Sequence, residues 1–355
     1  MPTSDQVTVL IMAPPLGSDL AFIEALDPRM KVVDGNAAYL AELEERGLPS
    51  RRKLAAGVIA PSPAVREKML SDADIIVTSH PVLPDLSRRA PRVKWMHHVQ
   101  AGVSNLWASD LWESDVMLTT GRGSVGTTSI AEYVMSGVLY FSRGFHESVV
   151  AKQQGQMDHT TRDRMATVKG ATLGIIGLGG IGKEVARLGK ALGMRVLATR
   201  RSLHEELRDT DNADVVMPAA GLLNMAQQSD FMVFCAQLTR ETQGLIDRRL
   251  FEAMKPTAVF INVARGEVVN EDDLVAALRQ GSIRGAVLDV YAGELEGQPP
   301  RSEFLEWPQV LLTPHISAQR GSGPDQAMRE LMKENLRRYL AGDPLLNEVD
   351  RARGY

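Results

Sequence analysis

The chain has 355 residues, long for one domain and comfortable for two. Its 44% hydrophobic and 24% charged residues allow a large core. A net charge of −4 provides no basic face for nucleic acid. The lone Cys235 excludes an intrachain disulfide and a two-cysteine metal site, and no apolar run reaches the roughly 18 residues that a membrane span needs. The start, Met1 to Gln6, is polar and lacks the basic opening and apolar stretch of a signal peptide. A cytoplasmic location without nucleic-acid or membrane partners is therefore expected.

Short apolar runs alternate with helical patterns along the chain, which predicts an α/β architecture with parallel sheets. Residues 7–12, 75–79 and 95–99 read as strands of a first unit, and 129–143 as a long apolar helix. The stretch 152–164, rich in Gln, Asp, Thr and Arg, reads as a surface loop or a helix with one wet side. A second series opens at Ala171, with a strand over 172–176, a helix over 183–192 closed by Gly193, and a strand over 195–199. Later strands fall at 231–235, 258–262, 285–289 and 310–313. One intervening helix has explicit ends: Asn270 caps it, Glu271, Asp272 and Asp273 fill its first turn, and Gly281 follows it. The last helix, about 326–340, places Met328, Leu331, Met332, Leu336, Tyr339 and Leu340 on one face.

Gly177-Leu178-Gly179-Gly180-Ile181-Gly182 fits G-x-G-x-x-G. The pattern alone is weak; a strand before it, a helix after it and a further strand make it a dinucleotide-binding fingerprint. Gly177 permits the tight turn, Gly179 lets backbone approach a pyrophosphate, and Gly182 lets helix and strand pack closely. The helix start at Lys183 is expected to present N–H groups and a partial positive charge to the phosphates.

An NAD site normally carries an acid at the end of the second strand, to accept the ribose 2′-OH. Here that strand runs into Arg200-Arg201-Ser202, and the only acid between Gly182 and Glu205 is Glu184, on the helix. Two guanidinium groups and a hydroxyl suit a 2′-phosphate, so NADPH is the expected cofactor, with NADH possible. The bland alternative is that Arg200 and Arg201 are solvated surface charges.

Three further segments follow strands: Asn262-Val263-Ala264-Arg265-Gly266-Glu267, Leu288-Asp289-Val290-Tyr291 with Glu294 behind it, and Leu312-Thr313-Pro314-His315-Ile316-Ser317. In an open parallel sheet, ligands bind outside the carboxyl ends of the strands, where all three would lie. Together with Ala101-Gly102-Val103, Ala131-Glu132, Leu238 to Thr242, Met254-Lys255-Pro256 and the tail Glu334 to Gly342, they resemble the D-isomer-specific 2-hydroxyacid dehydrogenase family. The likeness, of glyoxylate/hydroxypyruvate reductase type, runs from about Trp95 to Asp350. The first ~90 residues fit only as a generic α/β pattern.

The resemblance implies two doubly wound parallel-sheet domains. A Rossmann dinucleotide-binding domain, 122–314, is inserted in a flavodoxin-like substrate domain made of 1–121 and 315–355, with substrate held between them. It implies hydride transfer between the nicotinamide and a small 2-oxo or 2-hydroxy acid, D-stereospecific. Arg265 would grip the substrate carboxylate and polarise its carbonyl. The Ala101 and Gly102 N–H groups would bind the carboxylate's other side. His315 would exchange the proton, and Glu294 would bond His315 and favour its charged form. Asp289, Val263, Ala264 and Ser317 would meet the nicotinamide side of the cofactor. The family is usually dimeric through the cofactor domain, with helix 129–143 a candidate contact.

The chain departs from the family at Gly180, where a basic residue is common, at Ser104, where Asp is frequent, and at Leu295, where Pro is usual. The loop 295–308 is longer than usual. Formate dehydrogenases share the fold but carry Gln before the histidine, where Pro314 stands here. A dinucleotide-sensing corepressor or binding module on the same scaffold is the alternative from another functional class. His97 and His98, adjacent in a strand, point to opposite faces and form no metal site, so no metal is expected.

Overall fold

A computed structural model of the chain describes residues 6–13, 20–50, 52–123, 126–156, 165–318 and 326–354. It divides into two compact units, Met1–Val125 with Gly321–Tyr355, and Gly126–Arg320. The divisions fall a few residues after those expected. His315 and Ser317 thus belong to the second unit, not the first, because the chain stays with the second sheet past its last strand.

The first unit is built on five parallel strands, β1 Val7–Ile11, β2 Met30–Asp34, β3 Ile75–Thr78, β4 Trp95–His98 and β5 Met117–Thr120. Their order is β2-β1-β3-β4-β5, the flavodoxin-like winding. Side chains alternate between faces as the two-residue period requires. Ile75, Val77 and Trp95 join the core cluster containing Met328, Met332 and Leu336 of helix Gln326–Ala341. Ile76 and Met96 join the opposite cluster with Tyr39, Leu43 and Leu70. Burying each large apolar side chain contributes about 1.5–3 kcal/mol. β2 and β5 escape the sequence reading: each is a short edge strand without a long apolar run.

The second unit carries eight strands, β6 Thr172–Ile176, β7 Arg195–Thr199, β8 Leu207–Thr210, β9 Ala213–Met217, β10 Phe231–Phe234, β11 Val259–Asn262, β12 Gly285–Leu288 and β13 Val310–Leu312. Their order is β13-β12-β11-β10-β6-β7-β9-β8; all pair in parallel except β8, antiparallel to β9. The central strands are covered on both faces and therefore read as unbroken apolar runs. Helix Thr127–Ser142 packs on one core with Val134, Val138 and Phe141; helix Glu271–Gln280 packs on the other with Leu274 and Leu278. The latter helix has the expected ends: Asn270 Oδ1 accepts the Asp273 N–H at 3.2 Å, and Gly281 is left-handed at φ 68°.

The β8–β9 hairpin is absent from the sequence expectations. It turns on Asp211 and Asn212 at φ 53° and 62°, between the paired Thr210 and Ala213. Two consecutive left-handed residues suit the right-handed twist of a tight hairpin, and Asp and Asn tolerate that conformation best after Gly. Of the polar stretch 152–164, the first residues end helix Phe145–Gln153, and 157–164 lie outside the described residues. No described helix is long and apolar enough to cross a membrane.

Candidate active site

The order in which the strands are wound reverses between the parallel neighbours β6 and β10, and a switch point of this kind opens a crevice at their carboxyl ends. The glycine loop fills that position. Gly177 has φ 94°, and a Cβ on it would meet Ala236, just after β10, at 2.8 Å. A Cβ on Gly182 would come within 2.2 Å of the Gly177 carbonyl oxygen. Gly179 and Gly180 face open space, with nothing within 4 Å of a Cβ position. The absence of a side chain at Gly180 thus leaves the cradle open.

The helix begins at Gly180, three residues before the expected Lys183. The Lys183 N–H is already committed to the Gly179 carbonyl at 2.9 Å. The N–H groups of Gly180, Ile181 and Gly182 precede that first helical bond, the position at which a helix start offers donors to an anion. An open cradle backed by three such donors fits a dinucleotide pyrophosphate.

Arg200 and Arg201 follow β7 as expected, but neither guanidinium is merely solvated. Arg201 Nη1 bonds Glu241 Oε2 at 2.5 Å. Arg200 Nη2 bonds Asp211 Oδ2 and lies 3.5 Å from the Leu178 carbonyl in the glycine loop. Lys183 Nζ bonds the other Asp211 oxygen at 2.8 Å. Ser202 is exposed. The expectation that no acid stands near this strand end is therefore incomplete: the hairpin folds Asp211 back onto it. The Asp-Asn pair between two short alternating runs was the available signal.

At the end of β11, Asn262 shapes the next loop. Its Nδ2 donates to the Arg265 carbonyl at 2.8 Å, and its Oδ1 accepts the Ala264 N–H at 3.1 Å. Arg265 Nη1 donates to the Ala264 carbonyl at 2.7 Å. Its Nε is buried with no hydrogen-bond partner among the described residues. Burial pushes this guanidinium down from the usual arginine range, countered by the Glu267 and Glu294 carboxylates. A buried donor without an acceptor is costly, and an anionic ligand would repay that cost. Val263 is buried beside it, so what it can offer a ligand is backbone.

Gly266 brings this loop against the next one. A Cβ there would sit 1.9 Å from the Tyr291 carbonyl carbon. The turn carrying Glu294 is then tied from below: the Gly293 N–H donates to Glu267 Oε1 at 3.2 Å and the Ala292 N–H to Glu271 Oε1 at 2.8 Å. Leu295 and the longer loop do not displace Glu294. Its Oε1 lies 2.9 Å from His315 Nδ1, with the carboxylate 6% exposed and the imidazole 27%.

His315 has φ 54°, an uncommon conformation for a residue with a side chain. Asp289 fixes the backbone around it. The fully buried carboxylate accepts the Ile316 N–H at 2.8 Å, the Ser317 N–H at 3.0 Å and the Thr313 hydroxyl at 2.7 Å. Since Thr313 donates there, it accepts from Tyr133 at 2.6 Å, whose hydroxyl burial pushes up to about 12 and so keeps neutral. In this geometry the Asp289 carboxylate clamps the histidine loop; Ser317 is likewise buried and held by its N–H. Sequence reasoning gives Thr313 no role beyond membership of the histidine segment, and it misses Tyr133, which carries no motif of its own.

In the first unit, Ala101 and Gly102 follow β4 and lead into the short 3₁₀ turn Val103–Leu106. His97 and His98 are both buried and separately bonded, His97 Nδ1 to Thr119 Oγ1 at 2.8 Å and His98 Nε2 to Asn105 at 3.1 Å. Among the described residues no group of acids, histidines and cysteine could hold a metal.

Parallel strands that end on a phosphate cradle and, farther along the same edge, on a carboxylate-backed imidazole suit hydride transfer to or from a nicotinamide dinucleotide. The class so defined is a dinucleotide-dependent oxidoreductase. More narrowly, the chain belongs to the D-isomer-specific 2-hydroxyacid dehydrogenase family, whose NAD-binding-domain model matches residues 135–317. It is 33% identical over 285 residues to a glyoxylate reductase of Pyrococcus horikoshii, covering 78% of this chain and 82% of that one. It is also 33% identical over 241 residues to an (S)-sulfolactate dehydrogenase of Chromohalobacter salexigens, covering 66% and 73%. The crystal structure of an NADPH-dependent glyoxylate/hydroxypyruvate reductase from Sinorhizobium meliloti, in complex with NADP and sulfate, aligns with a TM-score of 0.74 at 27% identity, over 99% of this chain and all of that one. The chain is thus an NAD(P)-dependent 2-hydroxyacid dehydrogenase acting on small hydroxy or oxo acids.

Proposed function

We propose that the enzyme reduces a small 2-oxo acid of glyoxylate or hydroxypyruvate size to its D-2-hydroxy acid, with NADPH preferred over NADH. The observation that carries this reading is the 2.9 Å Glu294–His315 pair, in the same unit as a buried Arg265 Nε that has no hydrogen-bond partner among the described residues. When bound, the dinucleotide supplies the hydride.

This chain's residues do the rest. Gly180, Ile181 and Gly182 hold the pyrophosphate through their N–H groups, and Arg200, with Arg201 and Ser202 beside it, receives the 2′-phosphate. Backbone at Val263 and Ala264 borders the nicotinamide. Arg265 binds the substrate carboxylate and stabilises charge growing on the carbonyl oxygen. The Ala101 and Gly102 N–H groups are the further carboxylate donors. His315 delivers a proton from Nε2 to that oxygen, and in the reverse direction takes it back. Glu294 accepts from Nδ1–H, which selects the tautomer whose Nε2 carries the lone pair that takes the proton. Asp289 and Ser317 serve the same step by fixing the loop.

The test is a spectrophotometric screen of glyoxylate, hydroxypyruvate, pyruvate and bulkier 2-oxo acids with each cofactor. Turnover of the small acids, with kcat/KM higher for NADPH, is expected. Tight cofactor binding without turnover on any acid points instead to a sensor.

We further propose a homodimer through the second unit. Leu139 on helix Thr127–Ser142 and the neighbouring Phe145 and Val149 are exposed apolar side chains, 36%, 53% and 47% accessible. A monomer in sedimentation at micromolar concentration removes this assignment.

A further inference from the structure

The Asp211 carboxylate occupies an anion site that the strand end and the glycine-loop helix make together. Lys183 stands on the first turn of that helix, and Arg200 leaves β7 and reaches back to the Leu178 carbonyl. Both cations converge on one carboxylate, Lys183 on Oδ1 and Arg200 on Oδ2. They hold its carboxyl below the usual range, Lys183 foremost. The carboxylate comes from neither element but from the β8–β9 turn, where positive φ at Asp211 and Asn212 folds it inward.

Each of the three side chains is a quarter to a half exposed, 25% for Asp211, 27% for Arg200 and 48% for Lys183. Pairs this wet are weak, no more than about five-fold in an equilibrium constant. A phosphate dianion makes stronger, charge-assisted bonds to the same two cations. It also repels a carboxylate left beside it. The internal anion is therefore displaceable, yet its displacement subtracts from the affinity for a phosphorylated ribose. A ribose bearing only hydroxyls does not compete for the two cations and leaves the pairs intact.

We propose that Asp211 is a specificity-determining residue: an internal counter-ion on the Arg200–Lys183 pair that competes with the cofactor's 2′-phosphate and so tempers NADPH preference. This rests on the reading of Arg200 as the 2′-phosphate ligand. Removing the charge at Asp211 leaves the pair waiting for an external phosphate.

The test is calorimetric binding of adenosine 2′,5′-bisphosphate and of 5′-AMP, which differ only in the 2′-phosphate, to the intact enzyme. Asp211→Asn keeps the shape and suits a left-handed turn position. It is expected to raise the affinity ratio of bisphosphate over 5′-AMP roughly ten-fold, with 5′-AMP itself changed less than about two-fold. Lys183→Met, a second variant that lies on the glycine-loop helix and leaves the hairpin sequence intact, is expected to lower the ratio. A ratio unchanged or reduced in Asp211→Asn, with Arg200→Ala still weakening the bisphosphate, overturns the counter-ion role alone. Bisphosphate binding indifferent to Arg200→Ala in both the parent and Asp211→Asn backgrounds overturns the 2′-phosphate reading and the counter-ion role with it.

Discussion

Asp289 holds His315 by its backbone: the Asp289 carbonyl accepts the His315 N–H at 2.9 Å, and its side chain accepts the next two N–H groups of the loop. A residue at φ 54° costs on the order of 1–3 kcal/mol and persists only where its surroundings over-determine it. In Asp289→Asn one oxygen remains to accept, and the amide group faces an N–H that it cannot bond. Leaving one buried donor unmade costs about 1–3 kcal/mol. The expected outcome is a fall in kcat of ten-fold or more, with the cofactor dissociation constant, read by fluorescence, within a few-fold of the parent. A variant with intact kcat but badly weakened cofactor binding would mean that Asp289 serves the nicotinamide instead.

The Thr313 hydroxyl extends the clamp toward helix Thr127–Ser142 through Tyr133. Thr313→Val deletes both bonds at constant size and is expected to lower kcat several-fold while KM for the oxo acid stays put. Thr313→Ser should restore most of the loss, since it keeps the hydroxyl. Should Thr313→Val match the parent, or should serine fail to rescue it, the hydroxyl is not what positions the loop.

Glu294→Gln tests proton delivery. Glutamine can donate to Nδ1 as well as accept from it, so the imidazole loses its fixed tautomer. A fall in kcat of about 10²-fold is expected, within the range for impaired acid–base catalysis. Arg265→Ala should act differently, raising KM and cutting kcat/KM most, because the guanidinium captures the substrate carboxylate in the ground state and also holds the charge that grows in the transition state. Similar KM effects from the two variants would undo that division of labour.

The parts legible in the sequence were those in which one local pattern decides structure. The glycine fingerprint works because the backbone alone sets its geometry: Gly177 and Gly182 stand where any Cβ would collide. The strand bounds of β6 and β7 and the Asn270 and Gly281 helix ends follow likewise from neighbouring residues. What stayed hidden depends on chain returning from elsewhere. Asp211 lies eleven residues beyond Arg200 on a hairpin whose strands are short and partly exposed, so nothing local to the strand end marks it as that strand's acid. Nor does the sequence around Asp289 show that its carboxylate turns onto the N–H groups of residues 316 and 317.

Gly266 offers a test of the loop contact that places Arg265 beside the Glu294 turn. The nearest atoms to an added methyl are backbone, the Tyr291 carbonyl carbon at 1.9 Å and the Ala292 nitrogen at 2.1 Å, and neither can rotate away. Gly266→Ala must push the two loops apart. Overpacking of this kind costs about 1–3 kcal/mol or more. A lower Tm and near-complete loss of activity are expected, with binding at the distant glycine cradle kept in whatever folded fraction remains. A variant with parental Tm and kcat would show that the contact is dispensable.

His97 gives the first unit a pH dependence of known sign. Its ring is fully buried, bonded to Thr119 and lying 3.4 Å from Met328 Sδ, and burial pushes it down to about 3 from an ordinary 6.5. Between those values the unfolded chain binds a proton there that the folded chain refuses, so stability from this residue is present above about pH 6.5 and is lost as pH falls toward 3. Thermal melts from pH 7 to pH 4 should show Tm falling with acid. His97→Gln, unable to take up a proton, should flatten that slope by about one proton's worth while lowering Tm at pH 7 through poorer packing. An equal acid slope in parent and variant would locate the titrating group elsewhere.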